Sequence, residues 1–341
     1  MIPLKNIIQK IVPASAASTK KSLQLFYRCL QRLHHTQAFK ISLGVVPIPL
    51  AITPAPPQPP SYSSEVTRYD VEENIAHLMT LARVSLEKGE VERAEAILEM
   101  GIKICEEYQS YMVMPYMYDI LASIAFATGN LAKAEVLLVQ IIEKMVHLGT
   151  PEDDSQIIDF QLRLSRIYSA YNRDLLADIG FKNCLKHQEY KIEDGDTTTK
   201  TGMLYVNCLF WYGLHKIKCD DHKSAKNLID SAYSFSMKIK GLSPYQEMII
   251  LSTLGELNTQ LGVYDIALQN IHSAILLGRG IGSLELPRFY LKLGELYMKL
   301  GSRSTAEQWL KEASNLAELF NDKDVVFEAQ LILNEVVNKK D

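Results

Sequence analysis

The chain has 341 residues, 47% of them hydrophobic and 22% charged, and a formal net charge of −4, so it is long enough to bury a large core. Residues 1–64 hold seven Lys or Arg and no Asp or Glu, which leaves 29 basic against 40 acidic residues in the remainder. That net of −11 repels phosphate backbones and excludes nucleic acid as an expected partner. The five cysteines, Cys29, Cys105, Cys184, Cys208 and Cys219, are odd in number and form no C-x-x-C pair; they fit free thiols in a reducing compartment and exclude a disulfide framework.

Residues 1–40 set Leu4, Ile7, Ile8, Ile11 and Val12 at helical spacing against Lys5, Gln9 and Lys10, then Leu23, Phe26, Leu30 and Leu33 among Lys20, Lys21, Arg28 and Arg32. A basic, acid-free amphipathic leader of this kind is pulled by a membrane potential and offers an apolar face to import receptors, so residues 1–40 read as a mitochondrial presequence. The alternative is a basic membrane-surface or disordered tail. Residues 41–64 read as a linker. Ile41–Ile52 is apolar but short of the roughly 20 residues needed to span a bilayer, and Pro47 and Pro49 interrupt helical hydrogen bonding. Pro54, Pro56, Pro57, Pro59 and Pro60 then form a stiff, extended spacer.

Residues 65–341 repeat themselves. In LGELYMKLGSRSTAEQWLKEA, Leu293–Ala313, small residues fall at Gly294, Gly301, Ala306 and Ala313, at offsets of 7, 12 and 19 from the first. The same offsets recur at Gly255, Gly262, Ala267 and Ala274, and at Gly213, Asp220, Ala225 and Ala232. They recur again at Ser165, Asn172, Ala177 and Cys184, at Ala122, Gly129, Ala134 and Ile141, and at Ala82, Gly89, Ala94 and Gly101. Small residues in an amphipathic helix mark close backbone crossings, and the position at offset 7 marks the turn between two helices. One hairpin cannot bury its apolar face alone, so the spacing predicts an all-α solenoid of six helical hairpins.

A last helix near Asp324 to Asn338, with Val325, Val326, Ala329, Leu331, Ile332 and Val336 as its apolar face, is expected to cap the stack. Pro115, Pro151, Pro244 and Pro287 each stand before a first helix of a pair, where the missing N–H is harmless. Lys191–Gly202 is polar and aperiodic, and the repeat step across it stretches to 48 residues, so it reads as a longer loop or an extended helix end. Asp194 and Asp196 lack the spacing of a calcium loop.

No H-E-x-x-H, G-x-S-x-G or Walker sequence is present. The glycines of Gly278–Gly282 (GRGIG) follow a predicted helix, where a dinucleotide turn would follow a strand, and fit an inter-hairpin turn. His215, Cys219 and His222, with Cys208 two turns before His215, form the only metal-like cluster, and zinc would need four ligands converging on one point. The expectation is therefore no catalytic residue, no cofactor and no metal.

The small-residue grid, with Tyr168 and Tyr297 three residues after the first small position, resembles the tetratricopeptide repeat. Repeats of 39 to 48 residues depart from that family's shorter unit, only Trp309 is a repeat-phase tryptophan, and the copy at Ser165 fits the grid poorly. Tyr118–Glu135 (YDILASIAFATGNLAKAE) and Glu152–Leu185 (EDDSQIIDFQLRLSRIYSAYNRDLLADIGFKNCL) are similar to a mitochondrial branch of the family. There, like Y-D-x-x-A-x-x-A-F and I-Y-x-A-x-N-R strings occur in the same order. This likeness extends over roughly Glu72–Val337. It implies a factor associated with the mitochondrial inner membrane, peripherally or through residues 41–64, that binds protein subunits of respiratory complex III (ubiquinol–cytochrome c oxidoreductase). It implies further that the factor supports the complex's assembly and upkeep and helps clear fragments of the Rieske iron–sulfur subunit, itself a candidate partner.

Stacked first helices line a concave groove that can hold an extended segment or helix of a partner. Projecting the grid places Arg83, Asp119, Arg163, Arg166, Asn207, Trp211, Glu256, Lys292 and Glu295 toward it. Trp211 is the expected anchor, with core packing as its alternative; for each of the others the alternative is a contact between repeats. A second reading of the whole is a cytosolic tetratricopeptide adaptor for peptide motifs, similar in architecture to kinesin light chains. A hydrolase acting alone lacks the nucleophile and metal signatures it would need.

Overall fold

The computed structural model describes residues 68–338 except 112 and 240; the readings for residues 1–64, as presequence and linker, lie outside the described residues. Among the described residues the chain forms thirteen helices and no strand. They are α1 (Arg68–Glu87), α2 (Val91–Glu107), α3 (Met114–Ala127), α4 (Leu131–His147), α5 (Ser155–Ala170), α6 (Asp174–Glu193) and α7 (Thr199–Lys218). There follow α8 (His222–Ser236), α9 (Pro244–Gln260), α10 (Tyr264–Gly280), α11 (Leu286–Lys299), α12 (Arg303–Phe320) and α13 (Lys323–Asn338). Two compact units divide the chain after Ile167, within α5.

Each of the six turns is built in the same way. Gly89, Gly129, Asn172, Asp220, Gly262 and Gly301 have φ of 76°, 77°, 58°, 59°, 77° and 76°, the left-handed region that glycine enters freely and Asn or Asp tolerate. The next residue donates its N–H to the carbonyl five residues back, from Glu90 to Ser85, Asn130 to Ala125, Arg173 to Tyr168, Asp221 to Lys216, Val263 to Asn258 and Ser302 to Tyr297, over 2.8–3.0 Å. This left-handed closure satisfies carbonyls that a helix end otherwise leaves orphaned, and the second helix starts at once.

Hairpins close where the grid set small residues. A Cβ built on Gly213 would lie 2.4 Å from Ile229 Cγ1, one on Gly255 2.5 Å from Ile271 Cγ1, and one on Gly294 2.7 Å from Leu310 Cγ. In each case the large residue stands sixteen positions after the glycine and is buried. In the first unit the same register pairs Ala82 with Leu98 and Ala122 with Leu138, all four buried. The core of that unit continues through Ile75, Met117, Leu121, Ile124, Ile141, Ile157 and Phe160. Gly101 lets α2 approach α3, since a Cβ there would strike the Met117 side chain.

Prolines open first helices as expected. Pro244 stands in the first turn of α9 behind Ser243, whose side chain and Gln246 cap one another reciprocally. Pro115 and Pro287 occupy the first turns of α3 and α11, and Pro151 precedes α5. The long step between the third and fourth copies is absorbed by extended helices: α6 and α7 each run 20 residues. Only 194–198 separate them, where Asp196 accepts from the Thr198 N–H at 2.9 Å and the Thr201 hydroxyl at 2.6 Å. Gly278 and Gly280 close α10 and do not form the turn itself.

The last helix corrects the expectation for its apolar face. Val325 and Ala329 are buried, whereas Leu331 is 54% and Phe327 68% exposed. At about 100° of rotation per residue, Val325, Ala329 and Ile332 share one stripe and Leu331 falls well to the side of it. Apolarity alone drew that face too wide.

Candidate interaction surface

The nine residues expected toward the groove divide by what they touch. In the first unit Arg163 on α5 ion-pairs with Asp119 on α3, lies 3.3 Å from Ser123 Oγ, and reaches Asp159 one turn back along its own helix at 3.1 Å. In the second, Lys292 on α11 pairs with Glu256 on α9 at 2.8 Å and donates to Ser252 Oγ at 3.2 Å. The repeat positions are the same in both. The base stands two residues before its copy's small position, and its partners stand three before and one after the small position of the preceding copy. Burial alone would lower the Arg163 pKa; Asp119 and Asp159 reverse this and hold the guanidinium firmly charged. Four of the projected residues thus meet one another between adjacent first helices.

Arg166 lies over the Phe126 ring at 5.4 Å, and burial with the neighbouring Arg163 lowers its pKa to about 9, which still leaves it charged at neutral pH. Arg83 is exposed on α1. Glu295 is open to solvent but hemmed in by protein; desolvation and then the Glu256 and Glu328 carboxylates raise its pKa, against the pull of Lys292. Asn207 is half-buried and lines a shallow pocket with Val206, Phe210, Gln246, Ile249 and Ile250.

Trp211 is a correction. It is 4% exposed, with its ring edge-on to Phe210 at 6.1 Å, so it packs inside and cannot serve as the displayed anchor. Its register matches that of Arg163 and Lys292, but register fixes only the direction of a side chain, not what covers it.

Between α6 and α7 lies a second polar cluster. Asp178 accepts from Tyr212 Oη at 2.7 Å and from Lys216 and Lys182 at 2.6 Å each. Burial would raise its pKa, but these three donors outweigh it and hold the carboxylate well below the usual range. Phe181, Tyr212 and His215 stack beside it, with centroids 5.5 Å and 6.4 Å apart in turn. The metal-like grouping of the sequence is rearranged here. His222 is half-buried and turns its Nδ1 to the Asp220 carbonyl at 3.0 Å, while Asp174 joins His215 and Cys219. Asp174 lies 41 residues before His215, and only the antiparallel meeting of the α6 start with the α7 end could reveal it.

Near its start α6 exposes three apolar side chains: Leu175 at 75%, Leu176 at 48% and Ile179 at 56%. No helix among the described residues is long and apolar enough to cross a membrane.

No protein-family model matches the chain. A mouse (Mus musculus) protein, tetratricopeptide repeat protein 19, mitochondrial, is 27% identical over 263 residues, covering 74% of this chain and 72% of its own length. Its human (Homo sapiens) counterpart is 26% identical over 264 residues, covering 74% and 70%. The chain is similar to tetratricopeptide repeat protein 19. Among solved structures, a Rap protein complexed with competence and sporulation factor superposes with a TM-score of 0.57 at 14% identity, over 99% of this chain and 84% of that one.

The fold is therefore the tetratricopeptide-like array of helical hairpins, an architecture that serves as a scaffold for protein interaction. The departures from the tetratricopeptide pattern have visible causes. Twenty-residue helices α6 and α7 lengthen the repeat step, and Asn172 and Asp220 stand where the repeat elsewhere has glycine, in the same left-handed conformation. The mouse and human proteins both bear names that place them in mitochondria.

Proposed function

We propose that the chain is a non-catalytic mitochondrial factor that binds respiratory complex III through protein contacts. In this reading it supports the complex's assembly and maintenance, including clearance of Rieske subunit fragments, at the inner membrane. The observation that carries this is the likeness to tetratricopeptide repeat protein 19 along about three-quarters of the chain, in proteins named as mitochondrial. The helical-hairpin architecture supports the mode of action, since it presents extended side-chain surfaces to a partner. Attachment to the inner membrane is assigned to a peripheral contact or to residues 41–64.

The test is co-purification. A tagged full-length chain, expressed in cells and recovered from detergent-solubilised inner membranes, is expected to bring down complex III subunits. Its deletion is expected to leave Rieske fragments accumulating on the complex. A tagged chain that stays cytosolic whether or not residues 1–64 are present would favour instead a cytosolic adaptor for peptide motifs. Turnover of Rieske fragments by the purified chain alone would contradict the non-catalytic assignment.

A further inference from the structure

Asp174 opens α6, and His215 and Cys219 stand one turn apart at the end of α7, Cys219 being its C-terminal cap. One carboxylate oxygen, one ring nitrogen and the sulfur of these residues all lie within 4.8 Å of one another. The imidazole is 3% exposed, and its two nitrogens have separate partners. Nδ1 lies 2.9 Å from Ser169 Oγ, which leaves Nε2 facing Cys219 Sγ at 3.7 Å. Around a tetrahedral zinc with ligands at about 2.0 and 2.3 Å, nitrogen and sulfur stand roughly 3.6 Å apart. That is close to the spacing already present.

We propose that Asp174, His215 and Cys219 form a zinc-binding site, with Ser169 orienting the histidine and a fourth position left to water. Two features support this choice of metal. Thiolate and imidazole together select zinc over calcium or magnesium, which take oxygen ligands. The Ser169 hydroxyl, by accepting from Nδ1–H, places the lone pair on Nε2, the arrangement in which a second partner fixes a metal-ligating histidine. Lys218 Nζ lies 3.2 Å from Asp174 and is the cation the metal displaces; an ion pair open to solvent is a weak competitor. The bound ion would tie the start of α6 to the end of α7 and so hold together two helices that the long repeat step leaves unusually extended.

The probe is cobalt(II), which takes the same ligands and is visible. The full-length chain, freed of metal by chelation and titrated with cobalt(II), is expected to bind one ion per chain. The spectrum should show a thiolate-to-cobalt charge-transfer band and four-coordinate visible bands, both discharged by zinc. Cys219→Ser should abolish the charge-transfer band, and Asp174→Asn should weaken binding while the band remains. Ser169→Ala should keep the spectrum but lose roughly 10- to 100-fold in affinity, a loss that a residue outside the site would not produce. Circular dichroism of each variant separates loss of metal from loss of fold. Absence of a charge-transfer band in the folded parent chain, or its persistence in folded Cys219→Ser, overturns the proposal.

Discussion

Replacing Gly255 by alanine sets two effects against each other, and the structure says which wins. In an exposed helix interior the change gains about 1 kcal/mol from helix propensity. Here the new methyl group would lie 2.5 Å from Ile271 Cγ1 and 3.4 Å from the Ala267 carbonyl oxygen. Cγ1 is the root of a β-branched side chain with essentially one rotamer in a helix, and Ile271 is 1% exposed, so it has nowhere to turn. Overpacking of this kind costs about 1–3 kcal/mol, so the net expectation for Gly255→Ala is a loss of about 1 kcal/mol. Removing the obstacle should reverse the sign. Ile271→Ala alone costs about 2–5 kcal/mol through lost burial and the cavity left behind. In that background Gly255→Ala meets no Cγ1, adds helix propensity and fills part of the void, so it should stabilise by about 1 kcal/mol. A double-mutant cycle should therefore show about 2 kcal/mol of coupling between the two positions. Urea unfolding followed by tryptophan fluorescence is the suitable assay, because both tryptophans, Trp211 and Trp309, lie in the second unit with this hairpin. If Gly255→Ala stabilised the parent chain as well, glycine would not be there for close approach, and the account of the grid would fail.

Gly262 is the control for the turn: a Cβ there meets nothing within 4 Å, yet φ is +77°, so Gly262→Ala should cost about 1–2 kcal/mol from backbone strain alone in the same assay. Lys292→Ala removes the Glu256 ion pair and the Ser252 hydrogen bond; with Lys292 only 17% exposed and Glu256 46%, the loss should be about 1 kcal/mol, and most of it should vanish in a Glu256→Ala background. A cycle showing no coupling would refute the pairing. Glu295 titrates above its ordinary 4.5 in the folded chain, so the folded form binds more protons than the unfolded one above that value. The sign is that stability present at low pH is lost as pH rises through the folded value. Glu295→Gln should therefore stabilise at neutral pH and give little or nothing at about pH 4, as thermal melts at the two pH values would show. An equal effect at both pH values would contradict the shift.

What the sequence revealed was local. The left-handed turns at Gly89 and Gly262 follow from glycine itself, and Asp220 and Asn172 were identifiable because they stand at the same offset and share the tolerance for positive φ. The pairing of Gly213 with Ile229 and of Gly255 with Ile271 follows from a fixed offset within one hairpin. Features that depend on what a neighbouring element brings were harder. Trp211 occupies a register shared with half-buried bases, and nothing in its own helix says that it is covered. Leu331 is as apolar as Ile332 but lies off the stripe that meets α12. Asp174 was missed beside His215 and Cys219 because the three meet only when α6 and α7 pack side by side, whereas His222 was included because it was close along the chain.

The same distinction bears on how a partner is recognised. A charged residue on a first helix looks available in the sequence, but Arg163 and Lys292 are each engaged by an acid and a hydroxyl of the preceding copy. A partner that uses either base must replace those contacts, so its net gain is only the difference between the old pairing and the new. Arg83 and Glu295 face solvent, and Leu175, Leu176 and Ile179 expose apolar area that water gains nothing by covering. Contacts made there add to affinity without dismantling the stack, while the ladders between hairpins supply rigidity, which lowers the ordering cost of association. Charge reversal at Arg83 should accordingly weaken partner binding with little change in stability. Reversal at Arg163 or Lys292 should first lower stability, and that order separates a recognition residue from a packing one.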